Sequence, residues 1–194
     1  AGDQNYLLDA TVPLWDLTID GSGGDNADVE LLISPLEVDN DLVIETATST
    51  LDANVNFDIP ITINGDFENN GTYNYRANVT TFNGSTQTIL GTSSISFYDL
   101  VVNPVTNLTL SNSAIINNDL SLISGTLICG DYYVYAKGDV DNNATYTDNS
   151  TGIELNGTSL QYLGGTGTWG QLELNNSSGA RLQNAITLQS DFLL

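Results

Sequence analysis

The sequence predicts an all-β chain wound into a parallel β-solenoid, and three observations carry that expectation. Strong helix formers are sparse among the 194 residues, with no Met and only three Lys plus Arg. No long stretch spaces its apolar residues at a helical period. Short runs of alternating apolar residues, such as "LTLS" and "QLELN", sit between Asn, Gly, Ser and Asp clusters, which reads as strands between corners. The chain also repeats itself at a fixed offset, and a chain built of short repeats buries its core by stacking them.

The repeats can be followed in order as one solenoid segment, 1–194. A partial first copy occupies 1–64. Its opening, "DQNYLLDATVPLWDLTID" (3–20), matches "TQTILGTSSISFYDLVVN" (86–103) at an offset of 83. This copy departs most from the others. It carries the Gly/Asp-rich insertion "DGSGGDNAD" (20–28), extra length after Asp41, and only short similarity around "SPLEVDNDLVIETATSTLD" (34–52). The second copy, 65–137, and the third, 138–194, are closer kin. "GDFENNGTYNYRANVTTFNG" (65–84) aligns without a gap to "GDVDNNATYTDNSTGIELNG" (138–157), offset 73, with eight of twenty positions identical. Downstream, "NGSTQTILG" (83–91) matches "NGTSLQYLGG" (156–165), "FYDLVVN" (97–103) matches "WGQLELN" (169–175), and "LTLSNSAIINNDLSL" (108–122) matches "ARLQNAITLQSDFLL" (180–194).

A smaller period lies inside the large one. Asp followed by an apolar residue, after Asn, Gly or Ser, recurs at Asp41, Asp66, Asp119, Asp139 and Asp191; the first pair is 25 residues apart and Asp119 to Asp139 is 20. Those are coil lengths, so the chain should hold eight or nine coils of 20–25 residues, about three per 73-residue unit. Asn suits the corners because it tolerates the left-handed conformation and bonds to its own backbone. Period-two alternation turns Leu100, Val102, Leu108, Leu110, Leu120 and Leu122 inward, together with Leu172, Leu174, Leu182 and Leu188.

One corner has the spacing of a calcium loop. In "GDVDNNATYTD" (138–148), Asp139, Asp141 and Asn143 follow D-x-D-x-N, with Asp148 shortly after. The same turn recurs as Asp66-Phe-Glu68-Asn-Asn70, and Ala144 and Ser150 stand where a calcium loop wants Gly and a bidentate carboxylate. The spacing therefore reads as corner grammar. No metal site is assigned, no cofactor is required, and these four residues remain weak calcium candidates.

Other chemistry is constrained by composition. There is no His, which removes His-based acid/base catalysis and catalytic triads of that type. A net charge of −21, from 24 acidic side chains against Arg76, Lys137 and Arg181, repels nucleic acid and anionic lipid. No apolar run approaches the roughly 20 residues of a membrane-spanning helix. "GSGGD" (21–25) has acidic flanks that repel phosphate. Carboxylates are too many for their presence to argue glycoside hydrolysis. The three basic residues face Asn or Thr in the matching copies and read as isolated surface charges. Trp15, Phe97, Tyr98 and Trp169 share one region of the copies, but their parity to the following Leu is irregular. They read as core or coil-end packing, not as a sugar platform. Cys129, in "TLICG", reads as buried and apolar.

The string GD-x-x-NNGT-Y, FNGS-x-Q-x-I-x-G, F-x-x-L-x-V-N, LTL and SGTL resembles the repeats of large secreted surface proteins of the Bacteroidota. Those are similar to right-handed parallel β-helix adhesins and autotransporter-type passenger domains. The resemblance covers nearly the whole chain and implies a right-handed β-helix in an extracellular, cell-surface protein. It implies a structural or adhesive role, as adhesin or surface filament, without catalysis. The alternative is an extracellular polysaccharide-binding or polysaccharide-degrading β-helix, whose mark would be a long cleft of exposed aromatics and carboxylates. The chain starts just past the "FNG" position and stops inside a unit, so it reads as a fragment of a longer polypeptide. Its expected partners are flanking coils or neighbouring copies, and extracellular glycans or surfaces.

Overall fold

Alternating runs bounded by Asn, Asp and Gly form short strands because only every second side chain finds an apolar environment, and each corner residue ends the run. In the computed structural model, which describes residues 4–23, 26–92 and 95–194, this gives 27 strands and no helix among the described residues. Gly24 and Asp25 of the Gly/Asp-rich insertion, and Ala1 at the chain start, lie outside them. Each strand pairs in parallel with strands one turn away, as in Leu36–Val38 on Ile61–Ile63 and Ala114–Ile116 on Val134–Ala136.

The result is a three-sided β-solenoid. One side is an eight-stranded sheet, the next a nine-stranded sheet; the third is made by a four-stranded sheet followed by a six-stranded one. The nine-stranded sheet sets the count at nine turns. Early turns are long: Leu17 pairs with Leu42, 25 residues on, and Leu42 with Phe67, again 25. Later turns are tighter, with Leu100 paired to Leu120 and Leu120 to Val140, each 20 on. The expected coil lengths and coil number are both found.

Inward side chains stack in columns down the axis. On the first side Leu36, Ile61, Thr80, Leu100, Leu120, Val140, Leu163 and Leu182 lie in register. On the third side Ile95, Ala114, Val134, Ile153, Leu172 and Phe192 do so. Leu100, Val102, Leu108, Leu110, Leu120, Leu122 and Leu172 are buried as expected, while Leu174 and Leu188 are partly buried against the core. Leu182 differs: it is 50% exposed, because it points inward from the ninth turn and no described coil stacks on it. With Leu163, Leu174, Ile186, Leu188 and Phe192 it lines an apolar hollow of about 490 Å³ at that end.

Where the third side passes from its first sheet to its second, four rings pack together. Phe67 lies 5.6 Å from Tyr73 and 5.9 Å from Phe97, and Phe82 lies 6.1 Å from Phe97, at the angles aromatic quadrupoles favour. Burial pushes the Tyr73 hydroxyl up to about 12, although it bonds Thr80 at 2.8 Å and accepts from Asn78 at 2.9 Å. Cys129 is fully buried, as expected, and burial pushes its thiol up to about 12.

The 73-residue unit proves to be more than three coils. Phe67–Asn69 belongs to the nine-stranded sheet, but its repeat counterpart Val140–Asn142 belongs to the eight-stranded one. The two are eleven strands apart along the chain, three turns and two-thirds. Thr86–Gly91 and Gln161–Gly164 show the same shift. Each copy therefore lands its motif on a different corner of the solenoid. The hydrogen bonds show that the motif itself is kept. Gln87 Nε2 donates to Ile63 and Gly65 carbonyls at 2.9 and 2.6 Å while its Oε1 accepts Gly84 N–H at 2.7 Å. Gln161 repeats this with the Ala136 and Gly138 carbonyls at 2.9 and 2.5 Å and Gly157 N–H at 3.0 Å. The repeated glycines have a steric cause too. A Cβ on Gly65 or Gly138 would strike the backbone of Asn40 or Asn118 one turn below.

Candidate functional site

The corner aspartates are the most regular chemical feature, and their carboxylates face backbone. At the corner leading into the nine-stranded sheet, Asp16 accepts the Asp41 N–H at 3.1 Å, Asp41 that of Asp66 at 2.8 Å, and Asp66 that of Thr88 at 2.7 Å. A second ladder runs at the corner leading into the eight-stranded sheet. There Asp99 accepts from Asp119 at 2.9 Å, Asp119 from Asp139 at 2.9 Å, and Asp139 from Tyr162 at 2.8 Å. Each aspartate thus clamps its corner to the next turn through a charge-assisted hydrogen bond. This is the physical origin of the Asp spacing in the sequence.

The four calcium candidates are placed by the same logic. Val140 is buried, and Asp139 and Asp141 flank it on the exposed side. Asp141 accepts from Asn143 Nδ2 at 3.2 Å, and Asn143 Oδ1 accepts the Thr166 N–H at 3.1 Å. Asp148 sits at the far end of the next strand, Thr145–Asp148, and accepts the Gln171 N–H at 2.6 Å. Asp139 and Asp141 therefore lie on one side of the solenoid and Asp148 on another. Among the described residues no three His, Cys, Asp or Glu side chains gather closely enough to hold a metal ion.

The aromatic residues divide. Phe97 and Trp169 are buried, Tyr98 is half-buried, and Trp15 is 70% exposed, against its expected packing. The cause is register. Leu14 bridges Val38 and occupies the inward place that Phe97 holds in the later copy, so Trp15 matches the corner residue Tyr98.

One cleft was not anticipated from the sequence. It measures about 530 Å³ and lies on the outer face of the four-stranded sheet, with Leu7, Asp28, Glu30, Thr50, Asp52 and Asn74 in its lining. Register places Leu7, Glu30, Asp52 and Asn74 in one row across four turns. Like charges side by side on neighbouring strands repel, and Arg76 relieves this by gripping Asp52 with two nitrogens, Nε at 2.8 Å from Oδ1 and NH2 on Oδ2. The guanidinium holds the Asp52 carboxyl below its ordinary value, against the opposing effect of burial. It is also drawn electrostatically toward Glu30 and Asp58. Arg76 is thus not the isolated surface charge that the repeat comparison suggested. Asp28 and Glu30 accept no hydrogen bond from the described residues, unlike the corner aspartates.

The backbone is unusual beside this cleft. Among the described residues the three non-glycine residues in the left-handed region lie on the corner that follows it, Asn54 and Asp58 in one turn and Arg76 in the next. Asn54 is held by its own side chain, which donates to the Leu31 carbonyl at 2.8 Å and accepts the Asn56 N–H at 2.9 Å. Asp58 accepts the Ala77 N–H at 2.9 Å. The same corner carries exposed apolar side chains turn after turn: Val12, Ile33, then Val55 and Phe57. The sequence held two signals of this site: the departure of the first copy from the repeat, and the alternation "ADVEL" (27–31), which sets two carboxylates on one face of a strand.

No protein-family model, curated protein or solved structure matches the chain.

Proposed function

We propose that this chain is a structural and adhesive segment of a secreted, cell-surface protein, a rod that spaces and presents surface without catalysing a reaction. The observation that supports it best is the commitment of the corner carboxylates. Six aspartates, Asp16, Asp41, Asp66, Asp99, Asp119 and Asp139, hold one turn to the next. Acidic composition then serves cohesion between coils and solubility in a salty medium, where screening limits self-repulsion. The open apolar hollow around Leu182 and Phe192 fits a further coil or a neighbouring copy stacked upon it.

The runner-up, an extracellular polysaccharide-binding or polysaccharide-degrading β-helix, is favoured by the cleft bearing Asp28, Glu30 and Asp52. The aromatic residue that borders it, Tyr6, is in register with the inward Val29, Leu51 and Tyr73, so a continuous platform for sugar rings is not built there. Two measurements decide between them. Antibodies to the segment should label intact, unpermeabilised cells that encode it. Neutral and acidic polysaccharides should be neither cleaved by the protein nor retain it in affinity electrophoresis. Turnover or retention would install the alternative, and labelling only after permeabilisation would remove the surface role.

A further inference from the structure

We infer that the outer face of the first turns is a docking surface for a cationic, extended peptide segment whose lysine or arginine side chains alternate with apolar ones. The inference deepens the adhesive part of the proposed function by naming a partner class, and it is tested separately from the rod itself.

Three features of one face select this occupant. First, the face is recessed, with the 530 Å³ cleft over the four-stranded sheet. Second, two of its three carboxylates, Asp28 and Glu30, make no hydrogen bond with the described residues. Asp28 and Glu30 project from the middle of Ala27–Leu31, where charged residues fit a sheet poorly, and no described donor reaches either carboxylate. Among the described residues the cation nearest it, Arg76, is engaged with Asp52, leaving these side chains net negative. Third, apolar surface lies alongside. Leu7 is 65% exposed within the row, and Val12, Ile33, Val55 and Phe57 stand 59–68% exposed on the adjoining corner. That corner is rigid, not a loose loop: Ser34 N–H bonds Asp9 at 2.8 Å, Asn54 bonds the Leu31 carbonyl and Asp58 the Ala77 N–H.

An extended chain laid alongside Ala27–Leu31 repeats its same-face side chains about every 6.7 Å, the separation of Asp28 and Glu30 two residues apart on their own strand. Its ammonium or guanidinium groups would face Glu30 and Asp28, and its apolar side chains the Val55 and Phe57 corner. Charge complementarity of this sort governs encounter and register, while the apolar contacts add the burial that holds the complex. A glycan fits less well. Sugar rings want flat aromatic faces, and this face supplies mainly aliphatic side chains.

The test uses the whole chain and a labelled, capped hexapeptide alternating lysine and valine, followed by fluorescence anisotropy at 0.15 M salt. Its glutamate–valine counterpart and a neutral soluble glycan serve as competitors. Binding of the lysine peptide is expected, and the joint Asp28→Asn/Glu30→Gln variant should weaken it about tenfold. Both substitutions keep side-chain size and break no hydrogen bond, so folding is retained. Val55→Ser/Phe57→Ser, on exposed positions, should weaken it about fivefold. The pair Glu154→Gln/Glu173→Gln, in register on the far sheet of the same side, removes equal charge and should change affinity less than about twofold. Absence of binding at this salt, an equal loss from the far pair, or competition by the glycan would each overturn the inference. None of these results touches the rod or its surface location, which stand on their own measurements.

Discussion

Replacing Gln87 by Leu tests whether the repeat encodes a portable corner or merely similar letters. Gln87 is fully buried, and its amide closes three hydrogen bonds at one corner. Leucine removes them all. The Ile63 carbonyl keeps a second donor, Asn83 N–H at 3.0 Å, so two groups are orphaned, the Gly65 carbonyl and the Gly84 N–H. Each buried orphan costs about 1–3 kcal/mol, and the leucine regains part of that through apolar burial, so a net loss of about 3 kcal/mol is expected. For a chain of this size that lowers Tm by roughly 6–12 °C. Gln161→Leu orphans the Gly138 carbonyl and Gly157 N–H, while the Ala136 carbonyl retains Asn156 N–H at 3.0 Å; it also removes one acceptor of Asn176 Nδ2, at 2.8 Å, which keeps the Ser159 carbonyl at 2.7 Å. The two substitutions lie on different sides of the solenoid, yet they should cost the same within about 1 kcal/mol. Urea or thermal unfolding gives the size, and hydrogen exchange at the Gly84 and Gly157 amides gives the location. A neutral or stabilising Gln87→Leu, or costs differing by more than about 2 kcal/mol, would refute the portable-corner reasoning.

Other outcomes follow from the same contacts. Asp119→Ala removes the rung to Asp139 N–H at an exposed corner and should cost about 1 kcal/mol, whereas Asp119→Asn keeps an acceptor and should be nearly neutral by denaturant titration. Arg76→Gln should cost about 1 kcal/mol at neutral pH, the pair being partly exposed. Because Asp52 titrates below its ordinary 3.8, its contribution is complete above that value and fades as the pH falls through the lower, folded one; stability curves of Arg76→Gln and the parent should therefore converge as the pH falls below 3.8. Calcium should raise Tm only slightly, by relieving repulsion at several acidic turns, and the rise should persist in Asp139→Asn/Asp141→Asn. A large shift abolished by that double substitution would make this corner a specific metal site.

The fold class was legible because a solenoid repeats its constraints locally. Alternation in "LTLS" sets which side chains of Asn107–Leu110 turn inward, and the Asp spacing reports the coil length because each Asp reaches the next turn's backbone. Leu108 and Leu120 are buried for reasons visible in their own neighbours, and so is Val140, whatever side of the rod they occupy. That same local equivalence of corners hid the number of strands per unit. A turn of "GD-x-x-NN" folds alike at any of the corners, so its letters carry no record of which side it occupies. Only the stacked strands show that 73 residues advance eleven strands.

What the sequence determined by itself is therefore the strand–corner grammar, the coil length and the inward columns, since each depends on residues close along the chain. The tertiary structure decided what depends on turns lying side by side. It joined Asp52 to Arg76, 24 residues on, and lined Leu7, Glu30 and Asp52 into one row. It also left Leu182 half exposed, though its repeat counterpart Leu110 is buried, and Trp15 exposed at a corner. The physical reason is that parallel coils bring together residues separated by one turn. While turn length varies between 19 and 25 residues, as from Ile61 to Thr80 against Leu36 to Ile61, the partner of a given residue is fixed only once the coils are stacked.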